Sequence, residues 1–225
     1  MRTALIALAL IVWPVLFAQD AMGHENGEGA QTPEGDRLFQ ILKTLPLDPS
    51  AYRTPAAELV KQGIIEEFGH EEWAAAVLTN EVHQHVGIYS IVGAKMGVRA
   101  RELLGAPTRA VSVTVETGTR PPVSCVIDGL QVALGSTLAQ DLIHVSATGE
   151  PKVAATFEYK GHRLRLSLKP EFEKRIADSI AAATRQCGGL TPAYFKQIET
   201  FSYRVWAEFD RRRIFDEQMP PISRP

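Results

Sequence analysis

Residues 88–104 narrow what this chain can fold into. Within them Ser90, Gly93, Ala94, Gly97 and Ala100 recur at helical spacing, so they share one face of a helix. Glycine inside a helix costs about 1 kcal/mol relative to alanine, and two on one face imply close approach of another backbone or of a ligand. Gly105 follows as the residue expected to end the helix in a left-handed turn. Directly before the helix stand His83 and His85, one residue apart. A His-x-His pair at the mouth of a helix with a bared face is the best candidate for a site.

The remainder of the chain sets the context. Its 225 residues carry 24 lysines and arginines against 26 aspartates and glutamates, a formal charge of −2. That balance offers no electrostatic case for nucleic acid as a partner, and the length suits one globular domain with small appendages. Arg2, the apolar run 4–17 and the small residues Ala21 and Gly23 read as a secretory signal peptide over 1–23. The run is short for a transmembrane span, though an uncleaved anchor is the alternative. Residues 24–36 are polar and rich in Gly and Glu, as in a flexible linker. The domain is expected over 37–218, with a proline-bearing tail at 219–225. The expectation is a periplasmic or secreted protein with no membrane partner after cleavage.

Local patterns predict the elements. Residues 38–45 have a short helical pattern and 46–55 an irregular one. Thr54 and Pro55 are a cap and first-turn proline for a helix to about 68, continued helically over 71–79. Residues 81–87 read as a loop or strand end. The β-branched alternation of 109–116 predicts a strand, and 124–138 a helix with Ser124 as its cap and Gly129 and Gly135 inside it. A short strand at 144–147 and a hairpin of 152–159 with 162–168 across Lys160-Gly161 follow. An amphipathic helix spans 170–185, and another runs from Thr191-Pro192 to about 215. The class is α+β: a small antiparallel or mixed sheet packed against helices, with a helical C-terminal extension.

Several side chains can carry chemistry. In an extended segment residues i and i+2 point the same way, so His83 and His85 can reach one metal ion. The alternative is two surface or hydrogen-bonded histidines. Cys125 sits at the expected first turn of a helix, where unpaired N–H groups favour a thiolate. Asp128 in the same turn opposes that unless a metal or the histidines neutralise it. His83, His85 and Cys125 together form a ligand set for a divalent transition metal such as zinc, with Asp128 behind them. Cys125 could instead pair with Cys187, closing a loop of about 60 residues and adding roughly 4 kcal/mol in the chain-entropy model. Asp128, Gln131, Ser136 and Thr137 either line a polar pocket or cap helix ends. Tyr203, Trp206 and Phe209 read as core or lid aromatics, and Arg211-Arg212-Arg213 as a solvated helix end. His144 and His162 have no partner spacing.

Taken jointly, His83-x-His85-x-Gly87, the Gly93-Ala94-Lys95-Met96-Gly97 helix and the run from Ser124-Cys125 through Asp128-Gly129, Gln131 and Gly135-Ser136-Thr137-Leu138 resemble the formylmethanofuran dehydrogenase E-subunit family. That family typically shows His-x-His-x-Cys, a glycine-bearing helix, Cys-x-x-Asp-x-x-Gln and a Gly-x-Thr-Leu segment. The resemblance spans roughly residues 80–168. It implies an α+β fold, often a homodimer, with a cleft where histidines and cysteines meet and where some members hold zinc or another metal. Tyr89, Lys95, Asp128, Gln131, Ser136 and Thr137 are the positions it suggests for substrate contact. It does not imply formylmethanofuran chemistry. Gly87 departs from the pattern, because the family has cysteine there. Losing that thiolate favours a metal- or metal-complex-binding protein, or a non-catalytic ligand-binding or dimerisation module. An enzyme in which a metal or the Cys125 thiolate activates a small molecule is disfavoured.

Overall fold

A computed structural model describes residues 64–146 and 150–219. The signal-peptide and linker readings, the helical patterns at 38–45 and 54–63, and the tail beyond 219 lie outside the described residues. Among the described residues, five helices and a five-stranded mixed sheet make the α+β class expected from the patterning.

Helix α1 (Ile64–His83) bends at Gly69, whose φ of 85° is foreign to a helix. Helix α2 (Ile88–Leu104) has the bounds the small-residue stripe predicts, and Gly105 ends it at φ 57°. Strand β1 (Ser112–Val115) leads through a 3-10 turn at Val123–Cys125 into helix α3 (Val126–Leu134). Gly135 at φ 63° stops α3 four residues earlier than the sequence pattern suggests. The cap expected of Ser124 is absent, because Cys125 occupies that position.

Strand β2 (Ile143–Val145) lies parallel to β1, so β1, α3 and β2 form a crossover unit. Strands β3 (Ala154–Tyr159) and β4 (His162–Leu168) are the expected hairpin. Lys160 and Gly161 both take positive φ, 47° and 79°, the requirement of a tight turn matched to strand twist. Helix α4 (Pro170–Cys187) starts on a proline and ends at Gly188, φ 68°. Helix α5 (Pro192–Glu208) begins under Thr191, whose hydroxyl accepts from the Tyr194 N–H at 3.3 Å. It stops at Glu208 rather than 215. Phe215–Gln218 is instead a strand, β5, which completes the order β2-β1-β3-β4-β5. The segment pairs with β4 because Leu168 and Phe215 lie opposite each other in register and both are buried.

The core lies between one face of the sheet and the helices. Val113, Val115, Phe157, Leu164 and Leu166 are fully buried beneath Ile91, Leu130 and Leu134. Trp73 and Trp206 stack at 4.8 Å within it, and Phe209 is buried too, so these aromatics are core rather than lid. No helix among the described residues is long and apolar enough to cross a membrane.

The small-residue face of α2 meets α3. A methyl on Gly93 would stand 2.8 Å from the Val126 carbonyl carbon, and one on Gly97 2.7 Å from the Ala133 Cβ. Gly129 faces back onto the α2 backbone, where a methyl would lie 2.6 Å from the Gly93 carbonyl carbon. The glycines therefore serve the close packing of two helices, backbone on backbone at Gly93 and Gly129 and backbone on Ala133 at Gly97, not a ligand.

Candidate functional site

The two histidines come together by a route other than the extended segment expected. His83 is the last residue of α1, and Gln84 follows in the left-handed conformation, φ 65°. Its side-chain amide holds the turn by donating to the Glu81 carbonyl at 2.7 Å. The reversal brings the His83 and His85 rings to a centroid distance of 4.2 Å. Asn80 latches the turn to α2: its Oδ1 accepts from the Gly87 N–H at 3.1 Å and from the Ser90 hydroxyl at 2.9 Å. Asn80 carried no motif signal, and only the contact shows its part.

Gly87 is crowded too, by side chains where Gly93 and Gly129 meet backbone. A methyl there would stand 3.0 Å from the His83 ring and 2.7 Å from the Ser90 hydroxyl. The missing side chain at this position is the space that the His83 ring occupies.

Asp128, in the first turn of α3, receives that ring. His83 Nδ1 lies 2.8 Å from Asp128 Oδ2, with 12% of the histidine and 34% of the aspartate side chain exposed. Hydrogen bonds to Asp128 first, then to Cys125, raise His83 from 6.5 to about 9, although burial opposes them. His85 moves the opposite way, lowered by burial and then by the charge on His83. In the metal-free protein the pair is thus one imidazolium beside one neutral imidazole at neutral pH.

Cys125 is free, as is Cys187, so no disulfide joins them. Cys187 instead donates its thiol to Gln197 Oε1 at 3.3 Å. His83, His85, Tyr89 and Cys125 all line one cleft of about 1010 Å³. Its opposite side consists of residues that sequence reasoning missed: Ile180 of α4 with Pro192, Phe195 and Ile198 of α5, among others. These are ordinary amphipathic-helix residues, and nothing in their local pattern marks them as a wall.

The other suggested contacts are elsewhere. Asp128 does not line the cleft and acts through His83. Gln131 and Thr137 do not line it either. Ser136 is buried and donates to the Val111 carbonyl at 2.7 Å, which ties the end of α3 to the approach to β1. Lys95 is wholly buried and paired with Glu72, which also accepts from Arg211 at 2.9 Å. Burial lowers the Lys95 ammonium and Glu72 opposes that shift. Arg211 also bonds Glu102 and the Phe68 carbonyl, so it belongs to a buried network rather than a solvated helix end.

Two kinds of chemistry fit Cys125, His83 and Asp128. A carboxylate on one nitrogen of a histidine fixes the ring and frees the other nitrogen to ligate a metal. The same order, thiol then imidazole then carboxylate, is that of an activated nucleophile with its oriented base. The donor set of two imidazoles and a thiolate suits zinc or a neighbouring transition metal. Among the described residues no three His, Cys, Asp or Glu side chains are arranged to hold a metal ion as packed. His85 is more exposed than His83.

Comparison with curated proteins returned no match. The family described as FmdE, Molybdenum formylmethanofuran dehydrogenase operon, matches residues 82–202, more than half of the chain. The matched span starts one residue before His83, takes in Cys125 and Asp128, and ends within α5 beyond the apolar wall of the cleft. With the His-x-His turn, the glycine-packed helix pair and four of the five strands of the mixed sheet inside that span, the chain belongs to the FmdE family.

Proposed function

We propose that this is an exported protein whose cleft binds a divalent transition metal, or a metal complex, on His83, His85 and Cys125. The observation that carries the reading is the 2.8 Å contact between His83 Nδ1 and Asp128, which orients the ring and leaves its second nitrogen for a ligand bond. Zinc is the expected metal, since one thiolate and two imidazoles form a borderline-soft set. When bound, it would supply Lewis acidity or serve as cargo. Asp128 holds the His83 ring, and Gly87 gives that ring its space.

A second reading is favoured by the order Cys125, His83, Asp128: a thiol-dependent enzyme acting on a small electrophile, with His83 holding the proton. One preparation separates the two. Elemental mass spectrometry of the purified full chain is expected to find one metal per chain, absent from His83→Ala and Cys125→Ser. A metal-free wild type whose Cys125 reacts rapidly with iodoacetamide, and slowly in His83→Ala, would overturn the metal reading for the thiol one. Export is checked by sequencing the amino terminus of the protein recovered outside the cytoplasm. An intact Met1 there rejects cleavage.

A further inference from the structure

The cleft is much larger than a metal ion requires. At about 1010 Å³ it stands at the top of the range for drug-sized ligands, whereas one water fills about 30 Å³ of liquid. Its two sides differ in chemistry. His83, His85 and Cys125 lie on one side. Ile180, Pro192, Phe195 and Ile198 lie on the other. Phe195 keeps 57% of its surface in water there, apolar area that a ligand in the cleft would cover.

Tyr89 is the third feature. It lines the same cleft, is half-buried, and its hydroxyl has no hydrogen-bond partner among the described residues. Burial raises its pKa, so it stays a phenol, able to donate. The charged side chains of the α5 side offset each other, since Lys196 and Glu199 stand one helical turn apart. A strongly charged ligand would meet no surplus of the opposite sign there.

We infer that the cleft binds a neutral, ring-bearing organic molecule. Its body lies against Ile180, Pro192, Phe195 and Ile198, and a polar group on it accepts from the Tyr89 hydroxyl. A head group with nitrogen, oxygen or sulfur donors reaches the His83–Cys125 end. The inference deepens the metal reading and rests on it only for the head group. The apolar body follows from the wall alone.

The test uses the full chain and N-phenyl-1-naphthylamine, a neutral two-ring fluorophore. Its fluorescence is expected to rise saturably at one probe per chain. Ile198→Glu should weaken the affinity by about tenfold or more, because a carboxylate would have to be desolvated against the probe. Phe195→Ala removes an exposed ring whose ring contact is with its neighbour Tyr194, and should weaken binding several-fold. Both variants should keep the metal content of the wild type. No saturable binding, or equal affinity in wild type and both variants, overturns the inference. Probe binding retained in a chain that never carries metal would defeat the metal reading and leave this one standing.

Discussion

Replacing Gly93 with alanine puts a methyl group where α2 and α3 already touch. The added carbon would stand 2.8 Å from the Val126 carbonyl carbon and 2.9 Å from its Cα. Carbon atoms sit comfortably at about 3.5–4.0 Å, so the helices must separate by roughly 1 Å. Overlap this close with backbone atoms costs about 2–3 kcal/mol, the upper part of the usual overpacking range, against a gain of about 1 kcal/mol from replacing glycine in a helix. The net loss is about 1–2 kcal/mol, which for a chain of this size lowers Tm by roughly 2–8 °C. Thermal melts followed by circular dichroism, with urea titration alongside, measure it. The paired variant Gly93→Ala/Gly129→Ala should cost less than the two singles together, since helices pushed apart once accept the second methyl more easily. The site should feel the change too. Cys125 and Asp128 ride on the start of α3, so the His83 pKa should fall in the variant. An alanine chain as stable as the parent, or more so, would mean that helix propensity won and that the backbones are not in contact.

Three further outcomes are expected. In metal-free protein, His83 titrates near 9 in place of 6.5, so its bond to Asp128 contributes stability fully below pH 6.5 that is lost as pH rises through about 9. The contribution is on the order of 1–3 kcal/mol, and Asp128→Asn should weaken this pH dependence and move the NMR titration of His83 toward 6.5, with Cys125 keeping part of the shift. Glu72→Ala should destabilise by about 3–5 kcal/mol in urea, because it strips the counter-charge from fully buried Lys95 and from Arg211. Lys95→Met should cost clearly less, since Glu72 keeps Arg211; equal losses would refute the network. Gly87→Ala should drive the His83 ring off Asp128 at a cost of about 1–3 kcal/mol, read as a lowered His83 pKa.

Local signals carried a good part of this molecule. The 3.6-residue spacing of Ser90, Gly93, Gly97 and Ala100 gave α2 its bounds, since periodicity and a left-handed glycine are properties of the chain near each residue. Lys160-Gly161 fixed the β3–β4 hairpin for the same reason. The joint pattern of His83, His85, Cys125 and Asp128 pointed to the FmdE family and to one cleft, where three of the four line the wall and the fourth orients His83.

Other features depended on atoms far apart in the chain. The last helix, expected to run to about 215, stops at Glu208, and Phe215–Gln218 forms a strand because β4 offers it an edge and the core a place for Phe215. Lys95 and Arg211 read as polar surface or site residues until Glu72, on another helix, pairs with both inside the core. The apolar wall of Ile180, Phe195 and Ile198 exists only once α4 and α5 fold against the His83 turn. Spacing along a chain determines which side chains share a face. Which face meets which is settled by burial and charge pairing between distant segments, and that meeting made the cleft.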